Sequence, residues 1–463
     1  MSNSNTKRDW DLVVYGATGD AGTAIALYVS NNIDAYKKKS KNDNDDDDRF
    51  RWAIAGRSEN KLNRLRSRII VTRTTPSAKD EIGVLVADSA STEDMKELAK
   101  STRVLISAVG PYSLLGESIY RACVENGTHY VDITGEVDWV DDMRSKYQQK
   151  AKETGATLCS FAGYDCVPCD LTTHLARKVL SEQNQGGKVD NPTLVSLESV
   201  IEATSGAFPR GTIRTTISKL GDSASFCGKL IRFASSGKKI HWKTTRALIE
   251  WLLPRWSSEY GAFTLPHFMG WCNIPVIYNS HDNAIDCTFH DRMAVPYSKD
   301  CLLTGYGLLQ TLVTYLVLVG FGPFVLFFQI LVALVPSISG VLLKLFDSLQ
   351  YRGNRANNQQ VLEDAVTNAY NYATGSDGTK VAIHLRVQGD PGIKCTALLA
   401  AETSFSMLQL LDRNELPKGV IGTPSQIAGD ALCERLGDEA TIGDSCSLKV
   451  KVSTSESRNK KKD

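Results

Sequence analysis

The 463-residue chain lacks most of the features that classify a protein at a glance. It has almost no net charge: 53 lysines and arginines against 52 aspartates and glutamates leave +1. A general nucleic-acid binder carries a basic excess or face, so no nucleic-acid partner is expected. The eleven cysteines form no small-domain disulfide framework, and many stand inside apolar runs. That fits a reducing compartment with buried thiols. Cys166-Val-Pro-Cys169 has redox or zinc spacing. No second pair or histidine cluster completes a metal site, so no metal is expected. The block Lys37-Lys-Lys-Ser-Lys-Asn-Asp-Asn-Asp-Asp-Asp-Asp48 has no apolar residue and no calcium-loop spacing. It reads as a solvated loop. The opening Met1-Ser-Asn-Ser-Asn-Thr-Lys-Arg8 reads as neither a secretory signal nor a transit peptide.

What is present begins at Asp11-Leu-Val-Val-Tyr15, followed by Gly16-Ala-Thr18-Gly19-Asp-Ala-Gly22 and an apolar stretch from Thr23 to Val29. This reads as strand, tight turn and helix. The first glycine permits the turn, the second lets backbone approach a pyrophosphate, and the third lets helix and strand pack closely. The helix N-terminus then offers N–H groups to the phosphates. The reading requires that the turn be open and not filled by its own side chains.

A second absence sets the nucleotide. The next strand, Phe50-Arg-Trp-Ala-Ile-Ala55, ends in Gly56-Arg57-Ser58. An NAD-selective site places Asp or Glu there for the ribose 2′-hydroxyl. A guanidinium suits a 2′-phosphate, so NADP is expected over NAD, with Arg57 and Ser58 as contacts. The alternation continues to about Asp170, with strands at 82–87, 103–109, 129–134 and 156–161. Each ends in a polar or glycine-rich loop, where ligands sit in such sheets. Asp88 at one of these ends is an adenine-side contact or an N-cap, and Gly110 lies at another.

The loops Gly16-Ala-Thr-Gly19-Asp-Ala-Gly22, Ala55-Gly-Arg57, Ser107-Ala-Val-Gly-Pro-Tyr112, Tyr130-Val-Asp-Ile-Thr-Gly-Glu136 and Gly163-Tyr-Asp165-Cys-Val-Pro168-Cys-Asp170 carry a family resemblance. So do Gly389-Asp-Pro-Gly392 and Gly419-Val-Ile-Gly-Thr-Pro424. The chain resembles the saccharopine dehydrogenase-like oxidoreductases. Within them it looks like the eukaryotic branch linked to lipid droplets, which is similar to bacterial trans-acting enoyl reductases of glycolipid synthesis. Cysteines around Pro168, where serines are expected, and an insertion at 205–212 depart from that pattern. The resemblance implies a C-terminal helix that returns to the nucleotide domain. The predicted fold is α/β: a Rossmann-type doubly wound parallel sheet with a second α+β domain carrying a hydrophobic helical hairpin. The expected division is 1–180 for the NADP-binding domain, 181–300 with 350–415 for the substrate domain, 301–349 for the hairpin, and 416–463 for the returning helix and a polar tail. In the substrate domain a strand over 193–204, a helix from 211 to 218 and a short strand at 284–289 are expected. Strands at 380–387 and 393–400 about Gly389-Asp-Pro-Gly392 would form a β-hairpin, and 424–436 a helix capped by Thr423.

The third absence is the most telling. Residues 301–343 contain no charge, and the run 302–319 is long enough to cross a hydrocarbon core of about 30 Å. Gly320-Phe-Gly-Pro323 breaks it into a helical hairpin. A hairpin embedded in one leaflet or in a lipid-droplet monolayer is expected, on the cytoplasmic face of a lipid droplet or the endoplasmic reticulum. A soluble reading buries it in a large core or a homodimer interface. Upstream, four of the seven tryptophans fall between Trp242 and Trp271, among Lys243, Arg246 and Arg255. Trp and basic residues suit a headgroup region, though an ordinary amphipathic helix over 240–253 gives the same pattern.

Nicotinamide chemistry needs a positioned acceptor and one acid or base. The candidates are Tyr112, Asp132, Glu136, Tyr164 and Asp165, each of which also suits a cap or a loop hydrogen bond. No Tyr-x-x-x-Lys pair stands beside these loops. The expected function is an NADP-dependent oxidoreductase acting on a lipid-like carbonyl or enoyl substrate. The alternatives are a membrane-bound nucleotide-binding scaffold without turnover and a soluble amino-acid dehydrogenase.

Overall fold

A computed structural model describes residues 8–40, 50–72, 82–183, 192–203, 246–247, 250, 253–267, 269–280, 287–294, 364–437, 439–442 and 446–454. The chain divides into two compact units, residues 1–174 with 389–449 and residues 175–388 with 450–463.

The first unit alternates strand and helix: β1 (Trp10–Tyr15), α1 (Asp20–Ser40), β2 (Trp52–Gly56), α2 (Glu59–Thr72), β3 (Ile82–Val86), α3 (Thr92–Ser101), β4 (Thr102–Ser107), α4 (Tyr112–Leu115), α5 (Glu117–Asn126), β5 (His129–Asp132), α6 (Val137–Thr154) and β6 (Leu158–Cys159). α7 (Val167–Gln183) begins in this unit and ends in the second. The strands pair in parallel in the order β3-β2-β1-β4-β5-β6. That is the doubly wound order, with its switch point between β1 and β4. Central strands are apolar on both faces, as Leu12, Val13 and Val14 in β1 and Val104, Leu105 and Ile106 in β4 show, all fully buried.

The second unit holds β7 (Leu194–Ala203), β8 (Arg255–Ser257), β9 (Ala262–Pro266), α8 (Gly270–Ser280), β10 (Thr288–Ala294), β11 (Val366–Gly375) and β12 (Lys380–Gly389). They lie in the order β12-β11-β7-β10-β9-β8. β11 and β12 alternate buried and half-exposed residues, the period-2 signature of a sheet with one covered face. The strand expected at 193–204 is β7. The one expected at 284–289 lies further on, as β10.

The chain then returns to the first unit through α9 (Thr396–Asp412), β13 (Ile421–Gly422) and α10 (Pro424–Leu436), and ends in β14 (Glu439–Ile442) and β15 (Cys446–Thr454). β13 extends the parallel sheet beside β6. Two expectations are corrected here. Residues 393–400 are not a strand: a single π turn, Pro391–Cys395, leads into α9, and the hairpin is formed by β11 and β12. The return to the first unit therefore starts at Gly389, not at residue 416. α9 is buried from Thr396 to Gln409 on every side, so its apolar run carries no helical period. It packs on α1, α10 and β4. The Glu402 carboxylate on α9 accepts from Tyr28 Oη (2.8 Å) and Arg435 Nε (2.7 Å), pinning α1 and α10 to it. α10 starts as expected, with Pro424 in its first turn and a capping box between Thr423 and Gln426. α1 continues through the first residues of the charge block to Ser40.

The expected hairpin at 301–349, the helix at 211–218 and most of the helix at 240–253 lie outside the described residues. Among the described residues no helix is long and apolar enough to cross a membrane.

Candidate dinucleotide site

The carboxyl ends of β1 and β2 carry the glycine turn. Gly16 has φ +79°, and a Cβ there would stand 2.7 Å from Val109 Cγ2 and 3.0 Å from the Ala108 carbonyl carbon. Only glycine lets the β1 turn lie against the β4 loop. Gly16 and Ala17 both donate to the Ala55 carbonyl oxygen (2.9 and 3.2 Å), and Gly19 donates back to Gly16 O (3.1 Å). A Cβ on Gly22 would lie 2.2 Å from Gly16 O, so the third glycine is fixed by packing of the helix on the turn. Thr18, Gly19 and Asp20 are exposed. The turn is open, and the first turn of α1 rises directly from it.

Thr18 Oγ1 lies 3.9 Å from where a Cβ on Gly56 would be. The structure thus brings Thr18 beside the end of β2, where Arg57 is exposed and Ser58 half-buried. Across β2, Tyr15 is buried with its hydroxyl hydrogen-bonded to Ser89, in the field of Asp88 and Arg57. Burial, the largest cause, pushes that phenol up to about 12. Asp88 does not cap α3. Its carboxylate accepts from Ala90 N (3.1 Å), its own N–H donates to Asp94 (3.0 Å), and Ser91 is the N-cap. The Tyr15–Ser89 hydrogen bond carries no signal in the sequence, where Tyr15 reads as one more apolar strand position.

The ends of β4, β5 and β6 are built differently. Gly110 is exposed, but Tyr112 is buried and its hydroxyl donates to Ser107 O (2.8 Å). Burial foremost, then the Asp132 and Glu136 charges, hold that phenol well above its ordinary value. Glu136 is buried too, and its carboxylate accepts from the N–H groups of Tyr112 (3.0 Å) and Ser113 (3.3 Å) at the start of α4. Asp132, fully buried, accepts from Thr134 N (3.1 Å), Ser160 Oγ (2.9 Å) and Phe161 N (3.3 Å). Burial raises its carboxyl to about 7 against those bonds. Phe161 has φ +68°, a conformation a bulky residue adopts only where its surroundings impose it. Here the Asp132 carboxylate takes its N–H, and the Asp132 carbonyl takes that of Ala162 (2.8 Å). Tyr164 and Asp165 follow in the same loop, half-buried, with Tyr164 N donating to Thr396 Oγ1 at the start of α9 (3.1 Å). The structure therefore brings Tyr112, Asp132 and Glu136 together and sets Tyr164 and Asp165 on the adjoining loop. Cys166 and Cys169 are buried.

An open glycine turn at the switch point of a 3-2-1-4-5-6 sheet, with an arginine at the end of β2, defines a doubly wound dinucleotide-binding domain. Comparison with known proteins sharpens this. Residues 12–159 match the family described as the saccharopine dehydrogenase NADP binding domain. The chain is 31% identical over 268 residues to a saccharopine dehydrogenase-like oxidoreductase of Mus musculus, covering 57% of each. It is 34% identical over 220 residues to a lipid droplet localized protein of Caenorhabditis elegans, covering 47% of this chain and 46% of that one. It is 25% identical over 442 residues to a protein of Mycobacterium tuberculosis named as a trans-acting enoyl reductase, covering 93% of this chain and 96% of that one. The chain thus spans about half the length of the mouse and nematode relatives.

Proposed function

We propose that the chain is an NADP-dependent oxidoreductase that works at a membrane or lipid-droplet surface on a hydrophobic carbonyl or enoyl compound. The observation that carries the reading is the pairing of an unfilled glycine turn with Arg57, exposed where an NAD site has a carboxylate. In this reading Gly16, Gly19, Gly22 and the first turn of α1 hold the pyrophosphate. Thr18, Arg57 and Ser58 take the 2′-phosphate side, Asp88 borders the adenine, and Gly110 borders the nicotinamide ribose. The bound cofactor supplies the hydride. The chain must orient the acceptor and deliver a proton. The Tyr112 hydroxyl and Glu136 carboxylate are spent on loop hydrogen bonds, so they serve as struts. Tyr164 and Asp165, half-buried on the β6 loop, are the pair proposed for proton delivery. The lipid-like substrate and the surface draw on the uncharged residues 301–343 and on the names of the nematode and mycobacterial relatives.

Titration calorimetry tests the cofactor. NADPH should bind more tightly than NADH, and Arg57→Ala should cost NADPH about tenfold or more while barely affecting NADH. Equal or absent binding overturns the reading. NADPH oxidation across a panel of lipid carbonyl and enoyl compounds tests turnover, which Tyr164→Phe or Asp165→Asn should abolish. Binding without any turnover would favour the scaffold.

A further inference from the structure

We infer that the β8–β9 hairpin is a lipid-docking element that seats Trp256 and Phe263 beneath anionic headgroups, an inference that rests on the surface reading above. Trp256 and Phe263 are cross-strand partners, packed edge to face with ring centroids 5.1 Å apart. They are 43% and 46% exposed, and Leu253 just before the hairpin is 59% exposed. By contrast, Trp10 is half-buried, and Trp52 and Trp139 are buried.

The hairpin is anchored through its other side. Ser257 Oγ donates to Glu198 (2.6 Å) and Tyr260 Oη donates to Glu202 (2.8 Å), both on β7. With that side held by polar bonds to the sheet, the aromatic pair is left facing away from it. Such a pair, apolar and broad, is what the boundary between headgroups and acyl chains favours. Isolated surface apolar residues need no explanation, but three on one small edge element do.

The charge around the pair is of the matching sign. Arg255, next to Trp256, is exposed, with its Nη1 2.7 Å from His290 Nε2. The nearby carboxylates are already neutralised in pairs: Glu250 with Arg246 (2.6 Å) and Glu259 with Lys380 (2.6 Å). Lys238, Lys239 and Lys243 precede them in sequence.

The register supplies the third argument. Thr264, the neighbour of Phe263, pairs with Ala294, the last residue of β10. Seven residues beyond Ala294, the uncharged run 301–343 begins. The chain returns at the start of β11, where Thr367 pairs with Ala203, and Met293 near the end of β10 pairs with Ile201 of the same strand β7. The end of β10 and the start of β11, between which the charge-free run lies in sequence, therefore flank one end of β7, and the end of β10 adjoins the hairpin.

The test uses the full chain with vesicles of phosphatidylcholine and phosphatidylserine, made with ordinary or brominated acyl chains. The emission of the wild-type chain minus that of Trp256→Phe isolates Trp256. On ordinary vesicles this difference emission should shift to the blue, and on brominated ones it should be lost. A chain that floats with the vesicles while the difference emission keeps its aqueous maximum overturns the docking of the hairpin and leaves the surface reading standing. A chain that fails to float overturns both.

Discussion

The two halves of the parallel sheet treat their loops in opposite ways. At the ends of β1 and β2 the chain leaves its turn unfilled: Thr18, Gly19, Asp20 and Arg57 are exposed, and Gly16 and Gly22 let the turn close on its neighbours because they lack a Cβ. At the ends of β4, β5 and β6 it fills the equivalent space with Tyr112, Asp132 and Glu136, all buried and hydrogen-bonded to the loops themselves. Both halves descend from the same strand–loop–helix grammar. The difference teaches that a loop position at a carboxyl strand end is not by itself a ligand contact. The open half is shaped for something the chain does not supply. The filled half spends Tyr112, Asp132 and Glu136 on its own loops, and of the five acid–base candidates it leaves Tyr164 and Asp165 half-buried on the last loop.

The largest effect that could break this contrast comes from the glycines. Gly22→Val would set a branched side chain on a Cβ only 2.2 Å from Gly16 O, so the helix cannot start where it does. A loss of about 3 kcal/mol or more in unfolding free energy is expected, read by chemical denaturation. Gly19→Ala is the sharper probe. Its Cβ would meet nothing closer than Gly16 O at 3.4 Å, so the fold should survive. The added methyl would occupy the approach to the pyrophosphate, and NADPH affinity should fall about tenfold or more. Unchanged affinity in Gly19→Ala would show that the open half is not the phosphate site.

The filled half makes a pH prediction. An unfolded aspartate titrates near 3.9, whereas Asp132 in the fold is raised to about 7 by burial. Between those values the folded chain keeps a proton that the unfolded chain has released. The stability this group contributes is therefore complete below about pH 4 and is lost as pH rises to about 7. Asp132→Asn should remove that slope, changing the wild-type-to-variant difference by a few kcal/mol between pH 4 and pH 8 in urea titrations. A variant whose stability follows the wild-type pH curve would show that Asp132 is ionised throughout, and that its half is less sealed than its burial implies.

How much of this was legible in the sequence follows the same contrast. The open half is local: strand, turn and helix lie within the span from Trp10 to Ser40, and the glycine spacing records the turn directly. A doubly wound parallel sheet followed from the alternation of strands and helices. The filled half is not local. Glu136 reaches back to Tyr112, and Asp132 reaches forward to Ser160 and Phe161, bonds whose partners no periodicity marks. The left-handed backbone at Phe161 left no glycine to announce it. The error over 393–400 has the same root. Ala397-Leu-Leu-Ala-Ala401 is apolar all round because α9 is covered on every side, and a short run of that kind reads equally as a buried strand. Arg435, which closes on Glu402 33 positions earlier, carries no local signal either.

The smallest effect separates strut from chemistry. Tyr112→Phe keeps the ring that packs on Trp139 and removes only the hydroxyl, leaving Ser107 O without that donor in a buried site. The expected cost is about 1 kcal/mol of stability. NADPH affinity should not change, because the hydroxyl faces Ser107 and Ile133 inside the loop cluster and not the open turn. Turnover on whichever lipid carbonyl or enoyl compound consumes NADPH should fall no further than that small loss of rigidity allows. A fully folded Tyr112→Phe chain that binds NADPH normally and yet cannot oxidise it would reverse the assignment. The loop would then have to open during turnover, and the filled half would be a closed state of the reacting site.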